Sequence, residues 1–202
     1  MYPLNQHEPT DSAQPTQPEY VYEPQGPGTL RELVDWVLED WNAHERDWTR
    51  PGFRAVALHR FGNYRMHLSP RLLRAPFSVL YKTAFRFVRN HYGIELPYSV
   101  KLGRRVVIEH QGSIVVHGDS VIGDGCILRQ GVTLGNRRLN EPFDAPVLGE
   151  GVNVGAGAKI LGHVQVGDGA SIGANSVVLN DVPAGRIAIG IPAKVMPTGN
   201  EQ

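Results

Sequence analysis

The chain has 202 residues, with Lys+Arg and Asp+Glu both at 20 and a formal net charge of zero. That balance excludes the broad electropositive character of a nucleic-acid binder and gives no overall charge that points to a membrane surface. One cysteine, Cys126, precludes an intrachain disulfide framework and suits a reducing compartment, so a cytoplasmic protein is expected, with Cys126 structural.

Residues 1–28 are rich in Gln and Pro and read as a flexible tail, solvated in preference to docked through Tyr20 and Tyr22. There is no apolar signal core, and no 18-residue apolar run that would span a membrane. Thr29-Leu30-Arg31-Glu32 is a capping-box pattern. Leu30, Leu33, Val34, Val37, Leu38 and Trp41 follow at helical spacing and predict a first helix running toward Trp48. Pro51 and Gly52 interrupt it. A second helix is expected from Phe53 to about Met66 and a third from Leu72 to Val88, making residues 29–92 a small helical segment. Trp36, Trp41 and Trp48 read as packing residues.

From Leu102 the apolar residues recur in sixes: Leu102, Ile108, Val116, Ile122, Leu128, Leu134, Leu148, Val154, Ile160, Val166, Ile172 and Val178. A period of six is neither helical nor that of an ordinary hairpin sandwich, and it fits a solenoid of short strands and tight corners. With three strands per coil the twelve anchors predict roughly four coils, a stack about 20 Å high. The solenoid domain is expected over 93–196, followed by a frayed tail at 197–202. The rhythm breaks twice, by eight residues between Ile108 and Val116 and by fourteen between Leu134 and Leu148.

The first break holds Glu109-His110-Gln111-Gly112-Ser113, where a bulge would project a side chain. A neutral imidazole at His110 can take a hydroxyl proton near pH 7 and return a proton to a leaving thiolate. Glu95 and Glu109 are the acids available to orient it, and since neighbouring strand residues face opposite sides, Glu95 is preferred. On its own, His110 reads first as an isolated surface histidine and second as a base.

The ordered set Gly93-Ile94-Glu95, Lys101 through His110, Gln130-Gly131-Val132-Thr133-Leu134-Gly135, Gly155 through Gly162, and Gly190-Ile191-Pro192-Ala193 resembles the serine O-acetyltransferases of the hexapeptide-repeat acyltransferases. Weaker similarity extends to Arg46-Asp47 and His59-Arg60. The resemblance implies a left-handed parallel β-helix preceded by a short α-helical segment, an exception to the right-handed crossover rule. It implies direct transfer from acetyl-CoA to a hydroxyl with His110 as general base, no acyl-enzyme and no metal. It also implies homotrimers with sites between subunits. Coenzyme contacts are implied at Gly135, Ala156, Gly157, Ala158, Lys159 and Lys194, and an acceptor contact at Asp47. Cys126 matches no nucleophile position.

The second break departs from the family. An Arg-His-Pro segment is usual before the repeat resumes, and here the chain reads Asp144-Ala145-Pro146. Asp144 would repel an amino-acid carboxylate unless Arg137 or Arg138 supplies a clamp. L-Serine is therefore the first named acceptor, with a sugar, glycan or natural-product hydroxyl as the alternative and a noncatalytic trimeric scaffold as a third reading. His117 reads as a strand residue or as a neighbour of the cleft. The short helical segment suits a single trimer, and without a terminal isoleucine no complex with cysteine synthase is expected.

Overall fold

A computed structural model of the protein describes residues 25–138, 140–141 and 143–197. Tyr20, Tyr22 and nearly all of both expected tails lie outside the described residues.

The Thr29 hydroxyl accepts from the Glu32 amide while the Glu32 carboxylate accepts from the Thr29 amide, so the capping box starts helix α1 (Leu30–Ala43) as its sequence predicts. The helix stops short of Trp48 because Glu45 and Arg46 adopt positive φ and turn the chain. Pro51 at the first helical position opens α2 (Pro51–His67), and α3 (Arg71–Phe87) runs into a π-helical turn at Val88–Tyr92 that ends at Gly93 in the left-handed region. Pro76 lies in α3 without ending it. Trp36 packs between the guanidinium groups of Arg60 and Arg104, whereas Trp48 is 65% exposed.

The solenoid then winds three strands per turn. Its first turn is β1 (Ile94–Glu95), β2 (Lys101–Leu102) and β3 (Val107–Ile108). The second is β4 (Ile114–Val116), β5 (Val121–Ile122) and β6 (Ile127–Leu128). The third is β7 (Thr133–Gly135), β8 (Val147–Leu148) and β9 (Asn153–Val154), and the fourth β10 (Lys159–Leu161), β11 (Gln165–Val166) and β12 (Ser171–Ile172). An irregular fifth turn, β13 (Val177–Val178), a bridge at Val182, and β14 (Ile187–Gly190), ends in an antiparallel hairpin with β15 (Ala193–Val195). Every third strand pairs in parallel register, giving three sheets, β1-β4-β7-β10-β13, β2-β5-β8-β11 and β3-β6-β9-β12-β14-β15. This is the left-handed hexapeptide β-helix, longer by one irregular turn than the rhythm from Leu102 to Val178 predicts.

All twelve anchors are buried. A second inward row lies two residues before most of them, including Val100, Val106, Ser120, Cys126, Val132, Val152, Ala158, Val164, Ala170 and Ser176, all buried. Small and β-branched residues fill this row because it faces the narrow corner of the triangular coil. Cys126 belongs here, its thiol donating to the Gly149 carbonyl, which explains its structural role.

A solenoid leaves an open strand edge at its first turn. Most ladder amides of this fold donate forward to the next turn, as from Lys101 to Ser120 O and from Val107 to Cys126 O. Groups of the first turn that point the other way have no coil beneath them, and α1 and α2 meet them with side chains. Asn63 donates to Tyr98 O, His59 Nε2 to Val100 O, and Arg60 to Leu102 O and Gly103 O. Asp40 accepts from the Arg105 amide and His44 from the Ile108 amide. The helical segment is thus a polar cap on the first coil, anchored by a buried Asp40–Arg60 ion pair at 2.9 Å.

Candidate active site

The eight-residue interval forms a corner rather than a strand bulge. Residues 109–113 lie outside the ladder between β3 and β4, with Gly112 and Ser113 at positive φ. The corner is tied on both sides: the Ile114 amide donates to Gly93 O at 2.9 Å, and the Gly131 amide donates to Gly112 O at 2.8 Å. A side chain at Gly93 would press on the Ser113 amide, so glycine is required beneath the turn. His110 projects from this corner into solvent and makes no hydrogen bond or ion pair among the described residues.

Neither candidate acid hydrogen-bonds His110. Glu109 is paired with Arg129 Nε at 2.6 Å, and Arg129 also donates to Asn153, forming a polar ladder up one edge of the coil. Glu95 sits on β1 in register with Val115, half-buried on the outer face of the β1-β4-β7-β10-β13 sheet.

Packing of α2 on β3 brings the 44–50 turn to the same end of the first coil. Any side chain at Gly52 would overlap the Ile108 carbonyl, so this glycine sets the close approach. On the other side His44 accepts the Ile108 amide at 3.3 Å, while its Nδ1 donates to Asp40 O at 2.7 Å. Asp47 is held by the amide and hydroxyl of Thr49, which keep its carboxyl below the usual range. Sequence reasoning missed His44, Asp40 and Arg60 as supports of the corner. Their only signal was the weak similarity near His59-Arg60, because their partners are backbone groups distant in the chain.

The residues implied in coenzyme contact divide. Ala156 and Gly157 lie at the same edge as His110, where the Gly157 amide donates to Gln130 O one coil below. Gly135 ends β7 and Lys194 is exposed on β15. Ala158 is buried in the second inward row, next to the Ala156-Gly157 corner. Lys159 lies along the sheet, donating to Gly131 O and to the Thr133 hydroxyl at 3.1 Å. His117 accepts from the Asp119 amide at 3.3 Å in the next corner of the coil.

The fourteen-residue interval emerges from the corner between β7 and β8, a different edge of the triangular coil from the His110 edge between β3 and β4. The loop folds against the next turn, with Asp144 and Arg137 beside Gly162. It borders a cavity of about 470 Å³ lined by Arg137, Glu141, Asp144, His163 and Asp181 among others. Arg138 pairs with Glu141 at 2.8 Å, whereas Arg137 makes no ion pair among the described residues. Ala145 is buried. One chain therefore does not bring the loop and His110 together. Among the described residues no group of three His, Cys, Asp or Glu is arranged to hold a metal ion, and no helix is long and apolar enough to cross a membrane.

With this geometry in view, the bacterial transferase hexapeptide (six repeats) family pattern matches residues 145–180. A serine acetyltransferase of Helicobacter pylori is 37% identical over 81% of this chain and 94% of its own. That of Synechococcus elongatus is 37% identical over 72% of this chain, which spans only 57% of the cyanobacterial protein. A solved serine acetyltransferase in complex with CoA aligns over 83% of this chain and 71% of its own, at 31% identity and a TM-score of 0.68.

Proposed function

The chain belongs to the serine acetyltransferase family of hexapeptide-repeat acyltransferases, and from that premise we propose that it transfers the acetyl group of acetyl-CoA to the hydroxyl of L-serine. The observation that carries the reading is His110, an exposed imidazole, unpaired among the described residues, on a corner clamped from both sides. His110 removes the acceptor hydroxyl proton as the oxygen attacks the thioester carbonyl. The tetrahedral oxyanion collapses, the carbon–sulfur bond breaks, and the imidazolium returns its proton to the departing CoA thiolate. No acyl-enzyme is needed. Burial pushes the Cys126 thiol up to about 11, which makes it a poor nucleophile at neutral pH.

The edges at which the residues lie support a site shared between copies, as in a trimer, with His110 and the Ala156-Gly157 corner from one chain and the 136–146 loop from its neighbour. Glu95, without an ion pair among the described residues, is the carboxylate that orients His110, since Glu109 is engaged by Arg129. Its compartment is taken as cytoplasmic, in keeping with a single unpaired thiol.

A second reading, transfer to a neutral or amine-bearing hydroxyl compound such as an amino sugar, is favoured by Asp144 facing the loop cavity. An acceptor panel with acetyl-CoA, containing L-serine, homoserine, amino sugars and neutral sugars, separates the two when free CoA and acetylated product are both measured. Turnover on serine is the expected result. Turnover confined to sugars would replace it, and full activity in His110→Ala would overturn the assigned base.

A further inference from the structure

The net charge of zero conceals one strongly one-sided segment. Between Asp47 and Glu95 the sequence holds nine Lys and Arg and not one Asp or Glu. Four of these cations have internal work: Arg50 pairs with Glu45, Arg54 donates to Tyr92, Arg60 binds Asp40, and Arg65 reaches Ser78. Arg71, Arg74, Lys82 and Arg86 on α3 make no hydrogen bond or ion pair among the described residues.

The same helix buries only its Tyr81 side and turns an apolar stripe to solvent. Leu72 is 85% exposed, Val79 66%, Leu73 61% and Leu80 58%, with Phe87 half exposed at the C-terminal end. The i, i+1, i+7, i+8 spacing of Leu72, Leu73, Val79 and Leu80 places them on one side, and Arg71, Lys82 and Arg86 flank them. Beyond Phe87 an apolar cavity of about 480 Å³ continues between α2 and α3, bordered by Phe53 and by Trp48, 65% exposed.

We propose that α3 is a membrane-surface element that lies in the plane of an anionic bilayer, its leucine and phenylalanine stripe in the headgroup–acyl boundary and its free cations on lipid phosphates. A second copy fits this face less well. The other exposed apolar stripe of the cap, Leu30, Val34 and Leu38 on α1, is flanked by acids of the right sign, but those acids are already engaged. Glu32 closes the capping box, Asp35 lies 4.0 Å from Arg31, Glu39 binds Arg104, and Asp40 binds Arg60. Two copies of α3 repel. Unpaired cations beside exposed leucines are complementary to anionic lipid, and the placement is independent of the transfer chemistry.

Flotation of the full chain with phosphatidylcholine vesicles, with and without phosphatidylglycerol, tests this. Binding to the anionic vesicles alone, weakened by salt, is expected. The triple variant Arg71→Glu, Lys82→Glu, Arg86→Glu lowers the partition by about a hundredfold, and Leu72→Ser with Leu80→Ser abolishes it, with acetyl transfer retained as the check on folding. Failure of the unaltered chain to float with anionic vesicles overturns the proposal. So does a Leu72→Ser, Leu80→Ser variant that floats normally but changes oligomeric mass in light scattering, since the stripe is then a contact between copies.

Discussion

The amide of Ile108 donates to Nε2 of His44 across 3.3 Å, joining the helical cap to the residue from which the Glu109-His110 corner springs. The Nδ1 proton of His44 is committed to Asp40 O, so the ring is fixed in the tautomer that leaves Nε2 free to accept. His44 also packs against Phe53, with ring centroids 5.9 Å apart. The link makes the position of the proposed base depend on a buried side chain of the helical cap.

Replacing His44 by Phe keeps most of the packing and removes the acceptor. The Ile108 amide is then buried without a partner, which costs about 1–3 kcal/mol of stability. A drop in kcat with little change in the affinity for CoA is expected, measured by initial rates and by calorimetry of CoA binding. His44→Gln, which restores an acceptor oxygen, recovers part of the rate. Equal losses in the Phe and Gln variants would mean that the ring's shape, rather than its hydrogen bond, holds the corner.

The buried histidines of the cap make stability depend on pH. Burial pushes His59 down to about 3, aided by the neighbouring Arg60, and burial also lowers His44 below 6.5. In the unfolded chain both take a proton near pH 6.5, and in the folded chain they resist it. Stability is therefore complete above about pH 6.5 and falls as the pH drops below it, by about 1.4 kcal/mol per pH unit for His59, with His44 acting in the same direction. Urea unfolding midpoints from pH 7.5 down to pH 4.5 should fall accordingly. In His59→Gln, whose amide can still donate to Val100 O, the slope should lessen by one proton's worth.

Because His110 and the 136–146 loop occupy different edges of one coil, two inactive variants should complement each other. Chains carrying His110→Ala, mixed by coexpression with chains whose loop is shortened between Asn136 and Pro146, form some sites with both parts intact. Transfer activity well above either parent is the expected result. Coexpressed variants as inactive as their parents would place the whole site within one chain.

Much of this was legible in the amino-acid order. The capping box at Thr29 and Glu32, the twelve anchors and the two broken intervals follow from local hydrogen bonding and from a period that only a three-sided coil satisfies. The length of α1 was overestimated because its apolar spacing continues past Ala43, whereas the positive φ of Glu45 and Arg46 that ends it answers to packing on β3. The second inward row, to which Ala158 and Cys126 belong, is visible only once the corners are built. The pairing of Arg138 with Glu141 is likewise visible only in the folded loop.

Residue spacing along single segments accounts for the coil, for the inserted corner that holds His110 and for the atypical Asp144-Ala145 loop. Tertiary structure alone decided that His44, Asp40 and Arg60 cap the first turn, that Glu109 is spoken for by Arg129, and that His110 and the loop stand on separate edges. Those relations join backbone and side-chain groups from distant segments. They arise because an open strand edge must find hydrogen-bond partners wherever the folded chain can supply them.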